Sequence, residues 1–254
     1  MLANKRREKI FELIKEDGAA KVANLARIFK VTEVTIRQDL EKLASDGLVV
    51  KEHGGAFIKN IEDQVGSFSL THRENLDKKL LIAKKAIEFI NNGDSIILDS
   101  GSTATEIAKL LIGHRDITVI TNALNIAMLL GGKPGIDLIV TGGEFKPPTL
   151  SLTGQKAADF FKGINVRKLF LATAGISLKS GLTYPSISDL VVKKAMIDAA
   201  DLTYLVADSS KIGKSDFASL GALSLIDYIL TDNGIEEKHK MMFEQNDIEL
   251  IIAE

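Results

Sequence analysis

Short β-rich runs alternate with helical stretches from Lys78 to the C-terminus, and this alternation constrains the fold more than any other feature of the sequence. Helices between successive strands are typical of a mostly parallel sheet, because parallel strands need a long crossover connection. Seven runs are predicted as strands, at residues 95–98, 117–121, 137–141, 168–173, 203–207, 228–231 and 248–252. We therefore predict an α/β fold for residues 76–254.

The first 58 residues follow a different pattern, with apolar residues at helical spacing and then two short strands. Three helices are predicted, at residues 5–15, 22–29 and 32–45. Thr32 is the predicted N-cap of the third helix, whose Ile36, Leu40 and Leu43 face inward. Strands at 48–52 and 56–58 flank a glycine turn and form a predicted two-stranded wing. This order of elements indicates a winged helix-turn-helix.

Residues 59–75 lose this periodicity and are predicted to be a linker between the two domains, 1–58 and 76–254. The N-terminal part is the more basic one. Residues 1–60 hold 12 Lys/Arg and 9 Asp/Glu, a net charge of +3, whereas the rest of the chain carries −5. This asymmetry favours the N-terminal domain as the part that meets nucleic acid.

Composition excludes several classes of protein and site. The chain has no cysteine, which rules out disulfides and thiolate metal sites, and its four histidines have no pair at ligand spacing. We therefore expect no metal site, and no cofactor is expected either. No run of 18 apolar residues and no signal-peptide pattern occurs, so a cytoplasmic protein without membrane contact is predicted.

The start of the third helix carries polar side chains that can reach DNA. In a helix-turn-helix, the first turns of the second helix enter the major groove. Arg37 suits guanine or a phosphate and Gln38 suits adenine, while glycines in the wing let the backbone approach phosphates closely. The DNA-binding candidates are Thr32, Glu33, Thr35, Arg37, Gln38, Lys51, His53 and Gly54. Alternatively, Arg37 pairs with Glu33 or Glu41 one turn away, and Thr32 is only a cap.

Small polar loops follow several predicted strands, and the loop after residues 95–98 opens a helix. Free N–H groups and hydroxyls at the positive end of a helix dipole suit a phosphate. The carboxyl ends of parallel strands meet at one edge, where open sheets bind ligands. In this interpretation Lys211 supplies a point charge for the phosphate. Alternatively, Asp99 only fixes its loop, and Asn122 and Gly175 only serve turns.

The motifs A-x-x-F-x-V-T-x-x-T-I-R-x-D-L, L-x-x-D-G-L and H-G-G-A, within residues 5–57, resemble the DeoR family of bacterial transcriptional regulators. The motifs D-S-G-S-T, T-N, T-G-G, G-x-T and D-S-S-K, within residues 73–254, are similar to that family's effector domain, itself similar to ribose-5-phosphate isomerase. The resemblance implies an operator-binding winged helix-turn-helix, usually of a repressor, and a domain whose phosphorylated sugar or related metabolite releases the repressor from DNA.

The resemblance also implies a set of ligand-binding residues. They are Asp99, Ser100, Gly101, Ser102, Thr103, Thr121, Asn122, Gly143, Gly175 and Lys211, with Asp189 as a residue that contacts a hydroxyl or starts a helix. We accordingly expect a repressor of a sugar-catabolism operon. Its expected partners are a double-stranded DNA operator, a phosphorylated sugar and one or three further copies of the chain, in a homodimer or homotetramer.

Five residues depart from the family pattern. Thr32 stands where Ser is usual, and Gln38 replaces a second Arg, which removes one positive charge from the helix predicted to read DNA. Arg167 and Lys168 stand where an acidic residue is general, and Asp189 replaces Glu. Operator sequence therefore does not follow from the resemblance.

A sugar-phosphate isomerase is the alternative function. Such an enzyme needs a general base near a carbon-bound proton, and isomerases carry paired acids after the strand that here ends near Phe170. This sequence has Leu-Ala-Thr-Ala-Gly at residues 171–175 instead, so catalysis is not expected. A scaffold without ligand or DNA would leave the third helix and the loop hydroxyls unexplained.

Overall fold

The computed structural model describes residues 3–17, 19–52, 54–57, 74–146 and 149–254. His53 and residues 59–73 of the predicted linker lie outside these ranges. Two compact units are present, one that holds the described residues up to Glu74 together with Thr149, and one that spans Asn75–Lys146 and Leu150–Glu254. Within the described ranges, every helix is too short or too polar to cross a membrane.

The first unit contains the three predicted helices and a small antiparallel sheet. The helices are α1 (Ala3–Asp17), α2 (Val22–Phe29) and α3 (Glu33–Ser45), and the strands are β1 (Ala19–Lys21), β2 (Val50–Glu52) and β3 (Gly55–Phe57), in the order β1-β3-β2. The predicted two-stranded wing is present as β2 and β3, whereas the third strand, β1, was not predicted. β1 is only three residues long and has no alternating pattern, and its pairing with β3 is a contact between distant residues.

The helix-turn-helix forms because α2 and α3 each bury one apolar face and meet in a closed turn. Lys30 ends α2 in the left-handed region, and the Val31 N–H donates to the Ala26 carbonyl at 3.1 Å. The Thr32 hydroxyl then accepts the Thr35 N–H at 3.2 Å, which confirms Thr32 as the N-cap. The core of this unit includes Ile10, Ile14, Val22, Leu25, Ile36, Leu40, Leu43, Val49 and Ala56.

A seven-stranded parallel sheet organises the second unit. Its strands are β4 (Ser95–Leu98), β5 (Ile117–Thr121), β6 (Ile136–Val140), β9 (Val166–Leu171), β12 (Ala200–Val206), β14 (Tyr228–Asp232) and β15 (Glu249–Ala253), in the order β15-β14-β12-β9-β4-β5-β6. All six pairings are parallel. The seven predicted strands are thus confirmed, with ends that shift by up to three residues.

Helices cover both faces of the sheet, which is why its strands are apolar along most of their length. They are α4 (Leu76–Ile87), α5 (Ser102–Leu110), α6 (Leu124–Leu130), α7 (Gln155–Asp159), α8 (Ile187–Asp198) and α9 (Glu237–Glu244). On β4, Ile96 and Leu98 lie in one core cluster and Ile97 in the other, all fully buried.

Two smaller antiparallel sheets were not predicted. The hairpin of β7 (Glu144–Lys146) and β8 (Ser151–Thr153) follows β6, and β10 (Gly175–Ser177), β11 (Gly181–Tyr184) and β13 (Ala218–Gly221) form a three-stranded sheet. Each of these strands has three or four residues, too few for a clear alternation of apolar and polar side chains.

The chain reverses its direction of travel across the large sheet between β4 and β9. From β4 it continues through β5 to β6, whereas from β9 it runs the other way through β12 and β14 to β15. Such a reversal opens a crevice at the carboxyl ends of the two central strands, which is where ligands bind in open α/β sheets. Asp99 comes directly after β4 and Ala172 directly after β9, at this reversal.

Candidate functional site

The predicted DNA-binding side chains lie at the exposed start of α3 and in the wing. Thr32, Glu33, Arg37, Gln38, Lys51 and Gly54 are exposed and Thr35 is half-buried, while His53 lies outside the described residues. A helix whose first turns carry exposed polar side chains can present them to base edges in the major groove.

Arg37 has the intrahelical partner that the alternative interpretation foresaw. Its Nη2 lies 3.0 Å from Glu33 Oε2, and Lys51 Nζ lies 2.7 Å from Glu41 Oε1. The Arg37 and Glu33 side chains are 61% and 50% exposed, so this pair contributes little to stability and a phosphate or base can replace it. The hydrogen bond from Lys51 and its charge lower the pKa of Glu41.

Sequence reasoning missed the residues that hold α3 in place. Asp39 is buried on α3 and accepts bonds from Arg6 of α1, with Nε at 2.6 Å from Oδ2 and Nη2 at 3.3 Å from Oδ1. A paired guanidinium–carboxylate contact restricts orientation as well as distance. The sequence did indicate Asp39, because an acidic residue between the inward-facing Ile36 and Leu40 requires a charged partner.

Val34 was also missed. It is 62% exposed and lies between Glu33 and Thr35 on the first turn of α3. An exposed apolar side chain on a helix that enters the major groove can contact the methyl group of thymine.

The two glycines of the wing have separate structural reasons. Gly54 has φ +89°, which other residues rarely adopt, and its carbonyl accepts the Val22 N–H at 2.8 Å. At Gly55 a Cβ would lie 2.4 Å from the Ala20 carbonyl oxygen, because β1 packs closely against β3. The missed strand β1 therefore explains the second glycine.

The loop after β4 is fixed by Asp99, which is fully buried. Its Oδ1 accepts the Ser100 N–H at 2.6 Å, and its Oδ2 accepts the Ala172 N–H at 2.9 Å, which joins the ends of β4 and β9. A Cβ on Gly101 would lie 2.8 Å from the Ala172 Cβ, so the loop needs glycine there. Asp99 thus has the loop-fixing role that was the alternative to ligand contact.

Lys193 of α8 is the counter-charge for Asp99, and sequence reasoning missed it. Its buried ammonium donates to Asp99 Oδ1, lies 3.4 Å from the Ser100 Oγ, and is 5.5 Å from the centroid of the Tyr184 ring. The Tyr184 hydroxyl donates to the Ala172 carbonyl at 2.8 Å. Burial, and then the charge of Asp99, raises the pKa of Tyr184 well above its usual value, so this hydroxyl stays protonated.

The first turn of α5 presents free N–H groups beside this cluster. Gly101 provides no side-chain cap, and the first intrahelical bond runs from the Thr105 N–H to the Gly101 carbonyl at 3.0 Å. The N–H groups of Ser102, Thr103 and Ala104 therefore have no acceptor in the helix. Together with the helix dipole, they make a site for an anion.

Buried polar atoms without partners lie at the ends of the next two strands. Thr121 caps its own turn by accepting the Ala123 N–H at 3.1 Å, and Asn122 donates to the Leu152 carbonyl at 3.0 Å. Among the described residues, the Asn122 Oδ1 and Thr141 Oγ1 have no hydrogen-bond partner although both are buried. Such atoms are rare without a functional or structural reason.

Gly143 and Gly175 have packing reasons. A Cβ would lie 2.7 Å from the Thr153 carbonyl oxygen at Gly143, and 2.7 Å from the Thr183 Oγ1 at Gly175. Gly175 starts β10, and its close neighbours are Thr183 of the paired strand β11 and the Lys214 carbonyl oxygen, which is also 2.7 Å away.

The D-S-S-K motif follows β12 and is held by a second buried carboxylate. Asp232 accepts the Ser209 N–H at 2.6 Å and its hydroxyl at 2.9 Å, and Lys78 lies 3.5 Å away. Burial alone would raise the pKa of Asp232, but these hydrogen bonds outweigh it and lower the pKa. Lys211 is half-buried, and its ammonium has no bond within the described residues. Because β9 separates β12 from β4, this loop begins about 10 Å from the loop after β4.

The departure at Arg167 and Lys168 also has a structural account. Lys168 Nζ lies 2.6 Å and Arg167 Nη1 3.4 Å from the buried carboxylate of Asp94, at the start of β4. Burial alone would raise the pKa of Asp94. The hydrogen bond from Lys168 is the largest of the interactions that outweigh burial, and the pKa is lowered. The basic pair therefore belongs to the amino end of the sheet, opposite the candidate ligand site.

Comparisons with known proteins agree with the motifs. The DeoR-like helix-turn-helix model matches residues 6–62, and the DeoR C-terminal sensor domain model matches residues 74–233. The chain is 36% identical to an uncharacterized HTH-type transcriptional regulator of Bacillus subtilis, over 93% of this chain and 91% of that protein. It is 30% identical to the glycerol-3-phosphate regulon repressor of Escherichia coli, over 91% and 92%.

A solved structure is similar over about half of this chain. The ribose 5-phosphate isomerase of Methanocaldococcus jannaschii matches at a TM-score of 0.40 and 19% identity, over 54% of this chain and 55% of the isomerase. That score reflects only a loose overlap, and the topology itself confirms the predicted fold class. The two family models and the full-length relatives identify the protein: it belongs to the DeoR family of helix-turn-helix transcriptional regulators.

Proposed function

We propose that this regulator is a repressor whose binding to its operator is released by a phosphorylated sugar. The uncapped first turn of α5 carries this proposal, because its free N–H groups lie next to the loop that Asp99 and Lys193 fix. The unpartnered Asn122 Oδ1 and Thr141 Oγ1 on the neighbouring strands support a polar ligand at the same edge. Relatives named as a glycerol-3-phosphate regulon repressor and a putative aga operon repressor support both halves of the proposal.

In this proposal Ser100, Gly101, Ser102 and Thr103 bind the phosphate, and Asp99 positions them. The N–H groups and hydroxyls donate to the phosphate oxygens, and the helix dipole stabilises their charge. Lys211, whose ammonium is not engaged within the described residues, supplies a further positive charge to the ligand.

On the DNA side, Arg37 and Gln38 read bases, while Thr32, Thr35 and Lys51 contact phosphates. One winged domain covers few base pairs, so a homodimer or homotetramer is part of the proposal, with half-sites separated by whole helical turns.

We further propose that the protein is not an isomerase. The turn after β9 carries Ala172, Thr173 and Ala174, none of which can act as a general base. The nearby acids have other partners. Asp99 accepts the Ser100 and Ala172 N–H groups, Asp189 pairs with Lys146, and Asp208 accepts the Ser210 N–H.

A thermal screen tests the phosphate site. We expect a phosphorylated sugar at a hundredfold over its dissociation constant to stabilise the protein by about 2.7 kcal/mol, and the matching free sugar to do nothing. Ser102→Asp places a negative charge in the loop and should abolish the shift, whereas Ser224→Asp, at an exposed serine elsewhere in the same unit, should retain it. Equal shifts in both variants would contradict the assignment of this loop.

A further inference from the structure

A second ion pair lies on the same face of α8 as Lys193. Lys146 Nζ, at the end of β7, lies 2.5 Å from Asp189 Oδ2, and the two side chains are 21% and 10% exposed. Its strand neighbours Glu144 and Phe145 are exposed, whereas Lys146 is half-buried. A charge pair this far from water requires good geometry, since removal of two ions from solvent is costly.

The position of this pair relative to the phosphate loop follows from helix geometry. Asp189 and Lys193 are four residues apart on α8, so their side chains start about 6 Å from each other on one face. Lys193 contacts both Asp99 and the Ser100 Oγ. The charges of Asp99 and Asp189 both contribute to the raised pKa of Tyr184. Lys193 thus links the loop after β4 to the face of α8 that carries Asp189.

We propose that Asp189 and Lys146 form the second half of the ligand site, which recognises the hydroxyl or carbonyl groups of the sugar at the end remote from the phosphate. The inference rests on the proposed function, because it takes the loop after β4 as the phosphate site. It assigns Lys146 a role in specificity.

The chemistry of the pair suits a polyhydroxylated ligand. A carboxylate accepts hydrogen bonds from two adjacent hydroxyls, and an ammonium donates to a hydroxyl or carbonyl oxygen. When a ligand inserts between Asp189 and Lys146, its polar groups replace the hydrogen bond between them. The carboxylate and the ammonium then each keep a partner, so neither charge is left unpaired.

A calorimetric comparison of inorganic phosphate with sugar phosphates separates the two halves of the site. The probes are inorganic phosphate, glycerol 3-phosphate, ribose 5-phosphate, fructose 1-phosphate and glucose 6-phosphate, titrated into the full chain. We expect Asp189→Asn and Lys146→Met to lower affinity for the tightest sugar phosphate at least tenfold and to change affinity for inorganic phosphate less than twofold. Asp198→Asn and Lys194→Met, at exposed positions of the same helix, should change neither.

Each single variant leaves one charge unpaired and can fail to fold for that reason. The double variant Asp189→Asn/Lys146→Met removes both charges and avoids this problem. It should keep inorganic phosphate binding and lose sugar preference. If the affinities for phosphate and for sugar phosphate fall in parallel, or if neither falls, the pair is only a link between β7 and α8 and the inference is overturned. If the unaltered protein binds neither inorganic phosphate nor any sugar phosphate, the phosphate loop itself is wrong, and the proposed function fails with it.

Discussion

The two units carry their functional side chains in opposite ways. In the DNA-binding unit most of the described candidates are exposed, and the charged ones are engaged only in weak surface pairs, such as Arg37 with Glu33. In the sensor unit the central charges, Asp99 and Lys193, are buried and bonded to each other. An exposed pair can exchange its partner for DNA with little effect on the fold, whereas a buried pair is part of the fold. Mutations of the exposed candidates in the first unit should therefore change binding without changing stability. Mutations of the buried charges in the second unit should change both.

The largest effect is expected for Lys193→Met. This change leaves Asp99 as a buried charge without its cation, which should lower the unfolding free energy of the sensor unit by about 3–5 kcal/mol. Denaturant unfolding of the full chain, followed for each unit separately, measures it. Lys194→Met, next to it and exposed, is the control and should stay within about 0.5 kcal/mol. Equal stability of the two variants would remove the contrast between the units.

Asp39→Asn is the exception inside the DNA-binding unit, because Asp39 is buried there. Loss of its charge leaves Arg6 without a carboxylate, at 12% exposure, and we expect about 2–4 kcal/mol of destabilisation of this unit. Operator affinity should fall with it, since α3 loses its link to α1. A variant that kept full stability would show that the Arg6–Asp39 pair does not hold the helix.

Arg37→Ala should weaken operator binding by about 1–3 kcal/mol without unfolding the protein. The exposed pair with Glu33 contributes less than about 1 kcal/mol to stability, so the loss of operator affinity should exceed any loss of stability. Lys42→Ala, which breaks an equally exposed pair with Asp46 at the other end of α3, is the matched control for affinity. Fluorescence anisotropy with an operator fragment decides the point, and equal affinities for both variants would contradict the role of Arg37.

The smallest effect concerns Val34. If it contacts a thymine methyl group, Val34→Ala and a thymine-to-uracil change in the operator should each cost about 1 kcal/mol, and the second change should cost nothing more in the variant protein. Scanning each thymine of the operator in turn tests this coupling. Strictly additive losses at every thymine would show that Val34 makes no such contact.

How well the sequence predicts each unit depends on how far apart along the chain its contacting residues lie. Periodicity and capping predicted α3 and its N-cap Thr32, because both depend on residues within one or two turns. Strand β1 was missed, because three residues form a strand there only through pairing with distant Gly55–Phe57. The Lys193–Asp99 pair joins residues 94 positions apart, and no local pattern connects them.

The sequence nevertheless indicated part of the missed site on α8. Asp189, Val192, Lys193 and Met196 are the buried residues of α8 and recur at helical spacing. Two charged residues on an apolar face require counter-charges, so the pattern predicts buried ion pairs although it does not name Asp99 or Lys146 as the partners.

Coupling between ligand and DNA is the central claim, and one titration tests it directly. Operator affinity is measured by anisotropy with and without a saturating concentration of the sugar phosphate that stabilises the protein most. We predict at least a tenfold loss of affinity in the unaltered protein and no loss in Ser102→Asp, which should still bind the operator. Unchanged operator affinity in the unaltered protein, with the ligand demonstrably bound, would contradict release of the repressor by a phosphorylated sugar.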